Sequence, residues 1–202
     1  MPVFETALPL LALWGLFGYL LGSVPFGMVL ARLMGLGNLR DIGSGNIGAT
    51  NVLRTGNKGA ALGTLILDGG KGAVAVLLAR AVTGEDAAQA AGLMAFIGHC
   101  FPIWLRFKGG KGVATFLGIL LALAPIVGAA CCATWLVTAL VTRMSSFAAL
   151  MAAATSTIWM VFLGHSEIAL LGIALTLLVY IRHAANIRRI KAGTEPKIGK
   201  KG

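Results

Sequence analysis

Three polar segments interrupt an otherwise apolar chain, and each is built from groups that hold phosphate. The first reads Gly43-Ser44-Gly45-Asn46-Ile47-Gly48-Ala49-Thr50-Asn51-Val52-Leu53-Arg54. Glycines let successive backbone N–H groups converge on an anion. Ser44, Thr50 and Asn51 add neutral donors, Thr50 or Asn51 is placed to cap a helix start, and Arg54 adds a two-pronged guanidinium. The second reads Phe107-Lys108-Gly109-Gly110-Lys111-Gly112-Val113-Ala114-Thr115. Two lysines flank a Gly-Gly pair just ahead of an apolar run, the pattern of a phosphate cradle at a helix N-terminus. It lacks the first glycine and the spacing of a nucleotide-binding P-loop, so an ATPase is not indicated. The third reads Arg182-His183-Ala184-Ala185-Asn186-Ile187-Arg188-Arg189, followed by Gly193, Glu195 and Lys197. His183 and Asn186 are three apart and share a helix face, where a histidine can serve as base, acid or phosphate donor.

Each segment also has a plainer reading. The first could be a glycine linker, the second a basic anchor loop, and His183 a structural histidine. Asp68 and Lys71 stand three apart inside an apolar run, where ionisable groups default to function but can also neutralise each other. Ser145 and Ser146 lie at a polar break and could touch a substrate. Neither has a base beside it in sequence, so a serine hydrolase is not indicated. His99 precedes Phe101-Pro102 and is expected near the second loop, and His165 reads as a turn residue. Cys100, Cys131 and Cys132 form an odd set in apolar surroundings, which suits packing and neither a disulfide framework nor a metal site.

The elements that must position these groups follow from composition. Of 202 residues, 57% are hydrophobic and 12% charged, against about 25% charged in a soluble domain. So few charges cannot cover a water-facing surface. A soluble enzyme, a disordered chain and a nucleic-acid binder are excluded despite the net charge of +10. The chain reads as one all-α integral membrane domain, residues 1–202, with a flexible tail from 191. Apolar runs predict seven transmembrane helices: Val3–Met34 (kinked near Gly22–Pro25), Gly59–Val82, Ala87–Leu105, a short helix and a longer one from Val113–Val141 split at Pro125, Phe147–Leu163 and Ile168–Ile181. With the N-terminus outside and the C-terminus cytoplasmic, 16 of the 17 cations fall at the inner side, Arg80 being the exception. Glu5, Glu85, Asp86 and Glu167 fall outside, as the positive-inside rule favours. Leaving Val113–Val141 unsplit would put Arg143 and the basic tail outside.

At these residues the chain resembles the bacterial acyl-phosphate:glycerol-3-phosphate acyltransferases, the PlsY family. The matching pieces are Gly43–Arg54, Asp68/Lys71-Gly72, Gly98-His99 with Pro102, Phe107–Thr115, Ser145-Ser146 and Arg182–Lys197, in the family's order over nearly the whole length. Ile47 departs from the family's usual proline. No histidine is followed by Asp five residues later, so the HX4D acyltransferases are not matched. The resemblance implies a seven-helix enzyme of the bacterial inner membrane with its active site at the cytoplasmic face. It would transfer a fatty acyl chain from acyl phosphate to the 1-hydroxyl of glycerol 3-phosphate, giving lysophosphatidic acid and phosphate, the first acylation of phospholipid synthesis. On that resemblance the catalytic groups are Ser44, Arg54, Lys111, His183 and Asn186. The substrate-binding residues are Gly43, Gly45, Asn46, Gly48, Thr50, Asn51, Lys71, Lys108, Gly109, Gly110, Gly112, Ser145, Arg182 and Glu195. No metal or cofactor is implied. The partners are the two substrates, membrane lipids and a peripheral enzyme that makes acyl phosphate, with no nucleic acid.

The chemistry agrees with the loops. Both substrates carry phosphate, and Arg54, Lys108 and Lys111 with the glycine loops can supply two anion sites. Acyl phosphate is a mixed anhydride with a good leaving group, so no protein nucleophile is required. Donors near Ser44, Thr50 and Lys111 would polarise the carbonyl and hold the departing phosphate, and juxtaposition supplies much of the rest. His183 could take the hydroxyl proton, or a phosphate oxygen of the donor could. The second is preferred, because no carboxylate is paired with His183 in sequence. The competing class is a transporter for a phosphorylated anion, which would place its site near the membrane midplane and not at one face. A structural scaffold would not need three anion loops.

Overall fold

The computed structural model describes residues 5–199 and contains ten α-helices and short 3-10 turns, with no strand among the described residues. The helices are α1 (Leu8–Gly22), α2 (Phe26–Leu33), α3 (Ala49–Val52), α4 (Lys58–Val82), α5 (Glu85–Cys100), α6 (Val113–Leu123), α7 (Pro125–Thr142), α8 (Ser145–Phe162), α9 (Ala169–Arg182) and α10 (Ala184–Lys191). The expected start of the first span at Val3 and the last two lysines lie outside the described residues. The predicted kink is a true break between α1 and α2, because Pro25 has no N–H to continue the helix.

Five segments are long and apolar enough to cross a membrane: 8–33, 58–82, 85–105, 125–142 and 145–162. A sixth qualifies if α9 and α10, bent by 63° at His183, are counted together. The expected seven crossings are therefore not reached by length. The difference is α6: its 11 residues reach only roughly 16 Å, about half of a bilayer's hydrocarbon core. α6 ends where predicted, since Ala124 before Pro125 is extended and α7 restarts on the proline.

A half-length helix survives there because protein surrounds it. Thr115, Phe116, Gly118, Ile119, Leu120, Ala122 and Leu123 are all buried. Its final carbonyls do not face lipid either. Arg80 donates to Ala122 O at 2.6 Å and Leu123 O at 3.0 Å, which satisfies groups that would otherwise be orphaned at depth. That is the position of the one cation the charge rule did not place. α6 runs beside α4 at near-backbone contact, with a Cβ on Gly118 falling 2.1 Å from Gly69 O. α1 and α5 pack in the same way, since a Cβ on Gly22 would stand 2.1 Å from Ala95 O. Small residues replace hydrophobic driving force between helices in an apolar solvent. The core is filled by Phe96, Phe116, Ile119, Leu120, Met160 and Leu175. Leu62, Leu65, Ile66, Leu136, Val137 and Leu140 are exposed around the outside, an apolar belt that water could not solvate.

The polar residues sort to two ends. At the far end Asp86 accepts from Glu5 N, Thr6 N and Thr6 Oγ1 at 2.7–3.0 Å. Arg80 pairs with Glu85, and His165 with Glu167 in the α8–α9 turn. The three glycine-rich or basic segments meet at the other end.

Candidate active site

Asn51 organises the first loop. It is buried, its amide N–H groups donate to Leu39 O at 2.9 Å and Asn46 O at 2.7 Å, and its oxygen accepts from Ser44 N at 3.1 Å and Arg54 at 3.2 Å. With all these bonds made inside the loop, Asn51 shapes it and holds Ser44 and Arg54 in place. The expected helix cap is corrected: Gly48, and neither Thr50 nor Asn51, precedes α3, and no side chain caps it. The side-chain cap falls instead on Asn57, which accepts from Ala60 N at the start of α4. Gly43 has φ +51°, and a Cβ there would come within 2.9 Å of Arg54 and Asn51, so a side chain would expel the guanidinium. Gly45 also has positive φ, and its carbonyl accepts from Arg40 at 3.1 Å. Asn46 Oδ1 accepts from Ile47 N at 3.0 Å, a bond that a proline at 47 could not make. Ile47 itself is buried, so this departure anchors the loop. Ser44 and Thr50 stay exposed.

The second loop is held from both sides. Gly109 N and Gly110 N donate to Cys100 O at 3.1 Å and His99 O at 3.0 Å. The Gly109 and Gly110 carbonyls accept from Arg182 at 3.2 and 3.0 Å. Gly112, at φ +79°, starts α6, and a Cβ there would lie 2.3 Å from the Phe96 ring. The first turn of α6 follows directly, with the N–H groups that every helix start leaves available to an anion. Lys108 is exposed, and its carbonyl accepts from Arg40, which ties the first loop to the second.

The third segment supplies the wall. His183 is the hinge between α9 and α10 and is buried. Its Nδ1 lies 2.8 Å from Val179 O. A carbonyl only accepts, so Nδ1 carries the proton and Nε2 is the free basic atom of the neutral ring. Asn186 accepts from Lys111 Nζ at 2.6 Å and donates to Glu195 at 2.6 Å. Glu195 also accepts from Ser146 at 2.6 Å and Arg189 at 2.7 Å. Beyond Glu195, Ile198 N–H donates to Arg143 O at 2.6 Å, which joins the tail to the α7–α8 turn. Thr50 Oγ1 and Ser145 Oγ lie 3.1 Å apart and join the first loop to α8.

Electrostatics follow from this packing. Burial pushes the Lys111 ammonium down to about 8; Glu195 opposes the shift, while Arg189, Arg54 and Arg182 add to it. Burial alone would raise the Glu195 carboxyl, but hydrogen bonds from Ser146, Asn186 and Arg189 outweigh it and hold the group below the usual range. One carboxylate therefore stands among Arg54, Lys111, Arg182 and Arg189, with Lys108 at the rim. Such a site is short of negative charge.

Ser44, Arg54, Lys111, His183, Asn186, Ser145, Arg182 and Glu195 thus gather at one end. Lys71 is placed elsewhere: its ammonium is buried against Asp68 at 2.9 Å and Val24 O at 2.8 Å. The sequence reading assigned no role to Arg40 and Arg189. Both are cations beside the glycine and His-Asn motifs, which was the available signal.

The family model described as Glycerol-3-phosphate acyltransferase matches residues 12–193. The chain is 68% identical over 201 residues to the glycerol-3-phosphate acyltransferase of Ruegeria pomeroyi, covering 100% of this chain and 99% of that one. It is 64% identical to the enzyme of that name from Cereibacter sphaeroides, covering 100% and 96%. Among solved structures it is similar to the glycerol 3-phosphate form of PlsY (YgiH), an integral membrane glycerol 3-phosphate acyltransferase, with TM-score 0.88, 36% identity and coverage of 94% and 96%. The lysophosphatidic acid form of that protein gives TM-score 0.85 and 34% identity, covering 94% and 95%.

Proposed function

The chain belongs to the glycerol-3-phosphate acyltransferase family, and on that premise we propose that it uses acyl phosphate to acylate the 1-hydroxyl of sn-glycerol 3-phosphate, releasing 1-acyl-glycerol 3-phosphate (lysophosphatidic acid) and inorganic phosphate. One observation carries this reading. The start of α6, Lys111 and the arginines surround a single carboxylate that is already hydrogen-bonded to its neighbours. That leaves cationic and neutral donors for two phosphate groups. The hydroxyl oxygen of glycerol 3-phosphate forms the new ester bond to the acyl carbon, and the bond from that carbon to the phosphate oxygen breaks. The hydroxyl proton ends on the released phosphate.

No acyl-enzyme is needed. Ser44 Oγ contacts Asn51 Oδ1, and Ser145 Oγ contacts Thr50 Oγ1, so neither hydroxyl is paired with a histidine in these contacts. Lys111 and the α6 N-terminus hold the leaving phosphate as charge builds on it. Arg54 and Ser44 hold the acceptor phosphate, and Asn51 keeps them aligned. A donor phosphate oxygen takes the proton, while His183 and Asn186 orient the hydroxyl. The acyl chain lies among the helices while its head reacts at the polar end.

The same reading places the protein in the bacterial inner membrane as seven helical segments, α6 being the short fourth. The N-terminus is outside and the active site cytoplasmic, where a peripheral enzyme can deliver the reactive donor. Gathering the cations at the site end supports this orientation. The test is purified protein with labelled glycerol 3-phosphate and either acyl phosphate or an acyl thioester. Labelled lysophosphatidate from acyl phosphate alone is expected; product from the thioester alone overturns the donor assignment. Orientation is read by labelling Glu85→Cys from outside and Ala192→Cys from inside, and the reverse pattern overturns it.

A further inference from the structure

Asp68, Lys71 and His99 lie behind the second loop, all nearly sealed from solvent, at 2%, 3% and 4% exposure. Ionisable groups inside a membrane protein are expensive, and mutual neutralisation by two of them does not explain a third. Their geometry is directional. Lys71 Nζ binds the Val24 carbonyl at 2.8 Å, at the break between α1 and α2, and Asp68 at 2.9 Å. His99 Nδ1 stands 3.7 Å from the same Asp68 oxygen. The opposite edge of the ring rests on the loop, because a methyl on Gly110 would stand 2.2 Å from His99 Nε2. The His99 main-chain carbonyl accepts from Gly110 N, and the Thr115 hydroxyl of α6 donates to the main-chain carbonyl of Asp68 at 2.8 Å. The group thus touches both the Gly109–Gly110 turn and the first turn of α6, the two pieces that flank Lys111.

We infer that Asp68, Lys71 and His99 are positioning residues for acyl transfer: a buried platform that fixes the second loop against the start of α6, touching neither substrate. The inference rests on the proposed reaction at that loop. Lys71 anchors the platform to the α1–α2 break, the Asp68 carboxylate stands between Lys71 and His99 while its main-chain carbonyl holds Thr115 of α6, and the His99 ring sets the height of Gly110. A loop held this way meets the departing phosphate with the open N–H groups of the first turn of α6 and with Lys111 already in place. Misplacement by about 1 Å is enough to lose much of such preorganisation. The loss therefore falls on the chemical step more than on ground-state binding.

The experiment measures kcat and KM for both substrates in wild type, His99→Leu and His99→Gln, with folded fraction and Tm in the same detergent. His99→Leu is expected to lower kcat at least about tenfold, with both KM values within about twofold and Tm nearly unchanged. His99→Gln keeps a planar polar group of similar reach and is expected to recover much of the loss. If His99→Leu does not fold, Asp68→Asn with Lys71→Met removes both charges together and is judged by the same thresholds. A folded variant with kcat within about twofold of wild type overturns the inference. So does failure of both variants to fold, which would assign the group to stability alone. An inactive wild type would instead defeat the acyl-phosphate reading.

Discussion

The two polar ends of the molecule use similar residue types to opposite purposes. At the far end Arg80, Glu85 and Asp86 have local partners. Arg80 is shared between Glu85 and the last carbonyls of α6, and Asp86 is covered by Thr6 and two backbone N–H groups. The result is a set of caps that ends helices and ties the chain before α1 to α5. At the site end Glu195 answers several donors at once, and Arg54, Lys111, Arg182 and Lys108 outnumber it. The first turn of α6 adds backbone N–H groups that no carbonyl of the helix takes. Closing the balance of charges and hydrogen bonds favours stability, and leaving it unclosed favours an incoming anion.

Breaking each end should separate these roles. Lys111→Met should give the largest effect, a fall of about 10²–10³ in kcat/KM, the range for loss of one preorganised charge donor. Its Tm should change little, since burial already disfavours the ammonium. Product formation and thermal unfolding, measured together, check both. A large Tm loss with activity intact would erase the contrast between the ends.

Glu195→Gln comes next. It leaves Arg189 and the Asn186–Lys111 chain without their carboxylate, and about 10- to 100-fold loss of kcat/KM is expected, with lowered Tm. Asp86→Asn, its counterpart at the far end, should lower Tm and leave kcat within about twofold.

The pH response sharpens the contrast. In the free enzyme kcat/KM should fall as pH rises through about 8, because Lys111 loses its proton there. Stability should move the other way. The ordinary lysine value is 10.5 and the folded value about 8, so between them the unfolded chain binds more protons and folding is favoured as pH rises. An alkaline loss of activity without loss of Tm identifies Lys111, and Lys111→Arg should move the limb to higher pH. A flat profile across this range would remove Lys111 from the cationic site.

His183→Gln should cost less than about tenfold in kcat if the donor phosphate takes the proton. A loss of about a hundredfold with KM unchanged would make His183 the base instead. The smallest effect is expected from Arg80→Gln with Glu85→Gln, which should lower Tm by a few degrees and leave kcat within about twofold.

Much of this site was legible because its chemistry is concentrated in short stretches. Glycine interleaved with Ser, Asn and Arg, and two lysines around Gly109-Gly110, have few uses in an apolar chain other than holding an anion. The helix boundaries were legible from Pro25 and Pro125, which act through their own backbone. Roles were harder to read than positions. Asn51 reads as a ligand until its amide is seen joined to Leu39, Asn46, Ser44 and Arg54. Lys71 reads as a site cation until it is found behind the loop with Asp68. Glu195 reads as a substrate-binding residue, and that it joins Ser146, Asn186 and Arg189 is visible only in the fold.

The amino-acid sequence by itself determined that this chain is apolar and helical, that nearly all of its cations can be assigned to one side, and that three segments are rich in groups able to hold phosphate. Those properties depend on composition and on contacts a few residues long. Only the tertiary structure decided that α6 could stop at half length, because it is buried against α4 and its last carbonyls are capped by Arg80, 42 and 43 positions earlier in the chain. It also decided which cations face the site and which are neutralised. A buried charge is defined by the partners that replace its water, and those partners come from distant parts of the chain.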